Sequence, residues 1–444
     1  MYINGIDFPN EMIDVITKGE LVVFVGAGVS MGAPTLLPNF EKLAEEVAAG
    51  TGERPKKEES CEAFLGRLKH KGIDVNQRAA DILSEKNLQP NQLHKYIINL
   101  FTDSKRIKIV TTNYDNMLEM VLQEKGIENV KIYDAPALPL GDNVKGIVHI
   151  HGNVCEPEYM VVTDDDFGKA YLSDGYVARF LVKLFESYPV LFIGYSYNDV
   201  IVRYLTRAMT KYNACKRYIL TDSKEGNWSE LGIEPILYPE KKYDILNESV
   251  NQLAVRIKRG ISDWENNLKL IGEKPPTDLS MESEVLFCLQ DENKTRVLMN
   301  CVHGKEWLWW LEANGIFKNL FMEDVQLSNI EVTWGKWIIR EFLEKEYEEI
   351  LLLIMKYQNH MNKKFANLLA DWIINESITY SDETVKRIVL LVEPYIDYWW
   401  YIFRIHECVM NRNMVTLGWK IFKRLFDYKL ILERPIFYPF IQCM

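Results

Sequence analysis

The sequence predicts an α/β fold: a parallel sheet with a helical insertion, followed by an all-α C-terminal region. Three observations predict it. Short apolar, β-branched runs alternate with helical patterns from Leu21 to Tyr238. Several of those runs stop at a polar or glycine-rich tip. Beyond Gly272-Glu273-Lys274-Pro275-Pro276-Thr277-Asp278 the strand signals cease and tryptophan-rich segments with helical spacing take over. Strands alternating with helices form a Rossmann-like parallel sheet, and ligands on such sheets bind outside the carboxyl ends of the strands. The polar tips are therefore expected to converge.

The first run, Leu21-Val22-Val23-Phe24-Val25, enters Gly26-Ala27-Gly28-Val29-Ser30 and reads as a buried strand ending at a phosphate. Gly26 and Gly28 permit a tight turn and a close approach of backbone to ligand, while Ser30 and the turns after it can offer N–H groups to an anion. A plain strand-to-helix turn has the same look, so the motif needs company. Pro34 and Leu37-Pro38-Asn39-Phe40 form a loop before a helical run from Leu43 to Ala49. Residues 51–102 read as helices and loops, an insertion able to cover a pocket.

The second run, Ile107-Lys108-Ile109-Val110-Thr111, ends in Thr112-Asn113-Tyr114-Asp115, after which Met117, Leu118, Met120 and Val121 share a helical face. Lys131-Ile132-Tyr133 and Gly146-Ile147-Val148-His149-Ile150 are further strands, the latter ending at His151-Gly152-Asn153. Thr163 and Asp166 have the spacing of a helix-start cap, and helical patterns continue to Ser187. Val190-Leu191-Phe192-Ile193 then enters Gly194-Tyr195-Ser196 and a helix through Met209. Last come strands at Arg217 to Leu220 and near Ile233 to Tyr238.

The boundary at Gly272–Asp278 divides the chain into residues 1–272 and 280–444. Nine of the eleven tryptophans follow residue 300, and their irregular spacing defines no repeat family, so they are read as core.

Composition narrows the function classes. Hydrophobic residues are 48% and charged residues 26%, ordinary globular usage. A net charge of −11 without a Lys/Arg block argues against a sequence-independent nucleic-acid binder. The seven cysteines, odd in number and without a C-x-x-C pair, indicate neither a disulfide framework nor a structural zinc site. Residues 1–20 lack the apolar core of a signal peptide, and no segment reaches about 18 uninterrupted apolar residues, which predicts a cytoplasmic chain without membrane contact. Asp164-Asp165-Asp166 is read as helix capping and solvation rather than a metal site.

Taken together, Gly26-Ala27-Gly28-Val29-Ser30, Pro38 with Phe40, Thr112-Asn113-Tyr114-Asp115, His151-Gly152 and Gly194-Tyr195-Ser196 resemble the sirtuin-like NAD-binding family in order and in strand-end placement, over roughly residues 10–260. The chain looks most like the bacterial branch fused to helical regions in anti-phage defence proteins, whose members hydrolyse NAD. Deacylating sirtuins usually carry two zinc-binding cysteine pairs after the His-Gly motif, whereas only Cys155 stands there in this chain. That departure puts deacylation in doubt and favours the hydrolase, with NAD as substrate and no zinc.

What the resemblance implies is specific. Residues 1–272 would be the NAD-binding catalytic domain, and residues 280–444 a helical regulatory or assembly domain. Asn113 would position water and ribose, and His151 would serve as base or orient the ribose. Gly26, Ala27, Gly28, Ser30, Pro38, Phe40, Thr112, Asp115, Gly194 and Ser196 would bind NAD; Asp115 is equally read as a helix cap. His149, two residues before His151, is expected to support the site rather than react. The chemistry fits: nicotinamide leaves carrying positive charge in the substrate, so no strong acid is needed, and one neutral imidazole with one amide suffices to steady an oxocarbenium-like centre and a water. The expected product is ADP-ribose, linear or cyclised. A homo-oligomer triggered by a phage component or defence partner is expected. The alternatives are an NAD-dependent deacylase or ADP-ribosyltransferase, and a non-catalytic NAD or ADP-ribose sensing module.

Overall fold

The computed structural model describes residues 1–84, 88–195, 215–223, 228–271 and 274–426. It divides into two compact units, Met1–Arg259 and Gly260–Met444. The divide precedes the proline-rich segment, and the helix Ile261–Ile271 falls within the second unit.

The strands of the first unit are β1 (Tyr2–Ile3), β2 (Ile6–Asp7), β3 (Val22–Val25), β4 (Lys108–Thr111), β5 (Ile132–Asp134), β6 (Gly146–His149), β7 (Val190–Ile193), β8 (Arg217–Thr221) and β9 (Glu234–Leu237). β1 and β2 pair antiparallel as a small hairpin, and the other strands form a seven-stranded parallel sheet in the order β5-β6-β4-β3-β7-β8-β9. Full burial explains their composition: a parallel sheet covered on both faces needs continuous apolar runs, and every residue of β3, β6 and β7 is buried.

β3 sits between β4 and β7, so the chain reverses its direction of travel across the sheet at that point. Register keeps the tips level, since Val25 pairs with both Thr111 and Ile193, and Thr111 pairs with His149. The residues that follow, Gly26, Thr112, Ile150 and Gly194, thus leave the sheet along one edge, where open α/β sheets form their crevice.

On one face Val22, Phe24, Val110, Val148, Phe192 and Ile219 pack with Leu181, Leu184 and Phe185 of the helix Tyr176–Ser187. The expected insertion, residues 51–102, is helical, with helices Cys61–His70, Val75–Leu83 and Gln92–Asn99, and the helix Phe40–Val47 that precedes it joins the same core. Its core of Leu43, Val47, Phe64, Leu68, Val75 and Ala79 includes Tyr114, Met160 and Val162 from the strand-end segments, so the insertion is built onto the edge where the tips emerge.

The described part of the second unit is helical, from Ile261–Ile271 to Val415–Lys423. Trp264, Trp307, Trp334 and Trp337 are among its fully buried side chains, as a core reading requires. Trp400 and Trp419 differ, at 38% and 47% exposed. No helix among the described residues is long and apolar enough to cross a membrane.

Candidate functional site

The glycines at the tips of β3 and β7 are required by each other. A Cβ on Gly26 would stand 2.7 Å from the Gly194 carbonyl oxygen and 2.8 Å from the Tyr195 ring. One on Gly194, whose φ is +79°, would meet the Val29 nitrogen at 2.7 Å. The Gly28 N–H donates to the Gly194 carbonyl at 3.0 Å, locking the two tips together. Gly28 is exposed, Ala27 half-buried and Ser30 buried. Thr112 bridges the same tips, its Oγ1 lying 2.8 Å from the Tyr195 hydroxyl, which donates to the Val25 carbonyl at 3.0 Å.

Asn113 follows β4 and is buried, with its backbone N–H donating to Thr111 Oγ1 at 2.9 Å. Its Nδ2 donates to the Gly26 carbonyl and to Ser30 Oγ, each at 3.2 Å. Ser30 Oγ in turn donates to Asp115 Oδ2 at 2.8 Å, and Asp115 Oδ1 accepts the Met117 N–H at 3.1 Å. Asp115 therefore binds the first backbone N–H of the helix Met117–Glu124 and holds Ser30 at once. Burial pushes its carboxyl above the usual range, opposed by the hydrogen bonds from Ser30 and Met117.

Beneath this tip lies His149, fully buried at the end of β6. Its Nδ1 is 3.0 Å from the Asn113 carbonyl oxygen and its Nε2 is 2.7 Å from Glu119 Oε1. Both partners are acceptors, so both ring nitrogens donate and the ring is an imidazolium paired with a carboxylate. Burial pulls its pKa down, but the hydrogen bond and charge of Glu119, the Asn113 carbonyl and the charge of Asp134 hold it up at about 9.

His151 stands at the next tip in a different setting. It is 2% exposed, with Phe167 edge-on at 5.2 Å, Tyr171 at 5.9 Å and Tyr114 at 6.4 Å between ring centroids. Its Nε2 shares a 2.8 Å hydrogen bond with the Tyr171 hydroxyl. Burial drives its pKa down to about 3, so the ring is neutral at physiological pH. Tyr114 fixes the two tips to each other: its hydroxyl donates to the Val161 carbonyl at 2.7 Å, and the Val161 N–H donates to the His151 carbonyl at 2.9 Å.

The structure thus brings Gly26, Ser30, Thr112, Asn113, Asp115, His151 and Gly194 to one edge of the sheet. Pro38 and Phe40 are half-buried ahead of the insertion; Phe40 opens the helix Phe40–Val47, capped by Asn39, and packs on the core that this helix shares with the insertion. Ser196 and the helix expected after it lie outside the described residues. The acidic run serves the fold: Thr163 and Asp166 form a capping box, and Asp166 and Asp165 pair with Lys69 and His70. Among the described residues no group of three or more His, Cys, Asp or Glu is arranged to hold a metal ion.

Sequence reasoning missed His94, Glu119, Phe167 and Tyr171. His94 had a detectable signal, since Asn91 and His94 have the spacing of a capping box; the others lie in segments whose pattern reads only as helix.

Residues 107–236, within the first unit, match the family model of the SIR2-like domain. The uncharacterized protein y4cA of Sinorhizobium fredii is 32% identical over 287 residues, 56% of this chain, which spans only 24% of that relative's length. The NAD(+) hydrolase ThsA of Bacillus cereus is 27% identical over 358 residues, 77% of this chain and 69% of that protein. A solved structure described as the structural basis for the mechanism and regulation of Sir2 enzymes covers 56% of this chain and 97% of its own, at 13% identity and a TM-score of 0.34.

Proposed function

We propose that this chain is an NAD glycohydrolase that cleaves NAD to nicotinamide and ADP-ribose. The observation that carries the reading is the pairing, at adjacent strand tips of a SIR2-like domain, of an oriented carboxamide, Asn113, with a neutral imidazole, His151. The likeness to a protein named as an NAD(+) hydrolase supports it.

In this reading the C1′–N bond breaks with its electron pair passing to the nicotinamide nitrogen, which becomes neutral. Water oxygen bonds to C1′ and one proton is released, so no acid is needed at the leaving group. Asn113 holds the water or a ribose hydroxyl, and neutral His151 accepts a proton or orients the ribose. The backbone of Gly26, Ala27, Gly28 and Gly194, with Ser30, Thr112, Asp115 and Ser196, contacts the dinucleotide, and Pro38 and Phe40 shape the loop on the nicotinamide side. Hydrolysis without restraint would drain a cell of NAD. The proposed setting is therefore anti-phage defence by NAD depletion in the cytoplasm, with the helical region as the regulatory or assembly part of an oligomer and a phage component or defence partner as trigger.

Chromatography of NAD incubated with the protein tests the reaction. Nicotinamide and ADP-ribose in equal amounts are expected. Release that requires an acyl-lysine peptide or another acceptor would indicate deacylation or transfer, and tight NAD binding without product, even with phage lysate added, would indicate a sensing module. Fast turnover by the purified protein at every concentration would contradict the restraint.

A further inference from the structure

His94 lies in the insertion, 64 residues from Ser30 in sequence, yet its Nε2 is 3.1 Å from Ser30 Oγ in a buried contact. It is the third residue of the helix Gln92–Asn99, and its other ring nitrogen is already used: Nδ1 lies 3.2 Å from the backbone nitrogen of Asn91, completing a capping box. Asn91 in turn donates from Nδ2 to the Val29 and Gly32 carbonyls, at 2.7 and 3.3 Å, so this helix start is fastened to the glycine turn.

The sense of every hydrogen bond here follows from the groups present. A backbone N–H only donates, so His94 Nδ1 is an acceptor and the ring proton sits on Nε2. Burial lowers the ring's pKa to about 4, which keeps it neutral. Nε2–H then donates to Ser30 Oγ. Asn113 Nδ2 donates to the same oxygen, filling its second lone pair, and the single Ser30 proton goes to Asp115 Oδ2. The second Nδ2 proton of Asn113 goes to the Gly26 carbonyl. Both amide protons are spent, and Asn113 Oδ1 accepts no hydrogen bond among the described residues.

We propose that His94 is a positioning residue for NAD cleavage: by donating to Ser30 it fixes the direction of the Ser30 hydroxyl and holds Asn113 with its carboxamide oxygen presented as an acceptor to the water or ribose hydroxyl at C1′. The inference rests on the NAD-cleaving reading and names the residue that orients its amide. Without the His94 donor the Ser30 hydroxyl can rotate away from Asp115, and Asn113 is then held in this sense by the Gly26 carbonyl alone, its carboxamide oxygen less firmly aimed.

Two substitutions separate this role from capping. In His94→Gln the side-chain oxygen can still accept the Asn91 N–H, the ordinary capping-box arrangement, but no ring N–H reaches Ser30. It is expected to keep the parent's unfolding midpoint while kcat for nicotinamide release falls about 5–10-fold with KM little changed, the size of one lost orienting hydrogen bond. His94→Leu loses the cap as well and is expected to lower both the midpoint and kcat. The ring itself is read independently of turnover by NMR of 15N-histidine-labelled full-length protein, the His94 signal being assigned by its absence from His94→Gln. A neutral ring protonated at Nε2 is expected at pH 7. An Nδ1-protonated ring, or a His94→Gln kcat equal to the parent's, overturns the proposal. Absence of nicotinamide release from the parent under all conditions would instead overturn the hydrolase reading, and the NMR result would still decide the hydrogen-bond sense.

Discussion

The tips of β4 and β6 are neighbours in register, yet they hold their key residues by opposite means. Asn113 at the first is gripped by polar groups through its Nδ2 and its backbone: Gly26, Ser30 and Thr111 around it and the His149 imidazolium below. His151 at the second is surrounded by the rings of Tyr114, Phe167 and Tyr171, with one hydroxyl on Nε2. The difference follows from what each group must be kept from doing. A carboxamide can flip, and only directional hydrogen bonds prevent that. An imidazole already protonated before substrate arrives cannot accept a proton from it, and an apolar box keeps the resting ring neutral by raising the cost of the charge. The histidines repeat the lesson: His149 is charged because a carboxylate faces it, while His94 and His151, also buried but lacking one, are neutral.

The largest way to break the polar tip is Glu119→Gln, which leaves the His149 imidazolium buried against a neutral amide. Loss of one partner of a buried pair is expected to cost about 3 kcal/mol in urea unfolding, with the His149 pKa falling from about 9. A cost under about 0.5 kcal/mol would mean the pair is unimportant to the β4 tip.

The pH dependence of stability sets the tips against each other. His94 and His151 have folded pKa values near 4 and 3, below the ordinary 6.5, so the unfolded chain binds protons that the folded one refuses; their contribution is present above pH 6.5 and is lost as the pH falls from there toward 3. His149, raised to about 9, contributes fully below pH 6.5 and loses that contribution as the pH rises to 9. Urea midpoints at pH 5, 6.5 and 9 are expected to be highest at the middle value, and the alkaline fall is expected to shrink in Glu119→Gln. A midpoint that climbs steadily to pH 9 in the parent would contradict the charged state of His149.

The smallest effect is expected at the aromatic tip. Tyr171→Phe keeps the ring against Phe167, with which it stacks at 5.9 Å, and removes only the hydroxyl from His151 Nε2. Freed of that competing partner, nicotinamide release should rise about 2–10-fold in kcat/KM, the range of one net hydrogen bond. A fall of similar size would mean the hydroxyl assists His151 rather than competing with substrate for it.

The sheet and its polar tips are legible in the sequence because each buried strand is a short β-branched run that stops abruptly at residues such as Thr112-Asn113 or His151-Gly152. That local contrast by itself places Asn113 and His151 at the ends of strands. What supports them is not legible in the same way. His94 reaches Ser30 across 64 residues of chain, and Glu119 meets His149 from the polar side of a helix read for its apolar face. Tyr171 sits in a π-helical turn, Lys169–Ser173, that a helical pattern does not distinguish. Such partners are set by tertiary packing of the insertion and the helices around the tips. The glycine motif is a partial case: its turn is legible, but the close approach it permits among the described residues is between the β3 and β7 tips themselves.

The central claim is that Asn113 and His151 together cleave NAD, and nicotinamide release by the parent, Asn113→Ala and His151→Ala, at low and high protein concentration, tests it most directly. The account predicts release by the parent and a fall of about 10²–10⁴-fold in each variant, with the parent's unfolding midpoint largely retained. Turnover in either variant within a few-fold of the parent's would contradict it.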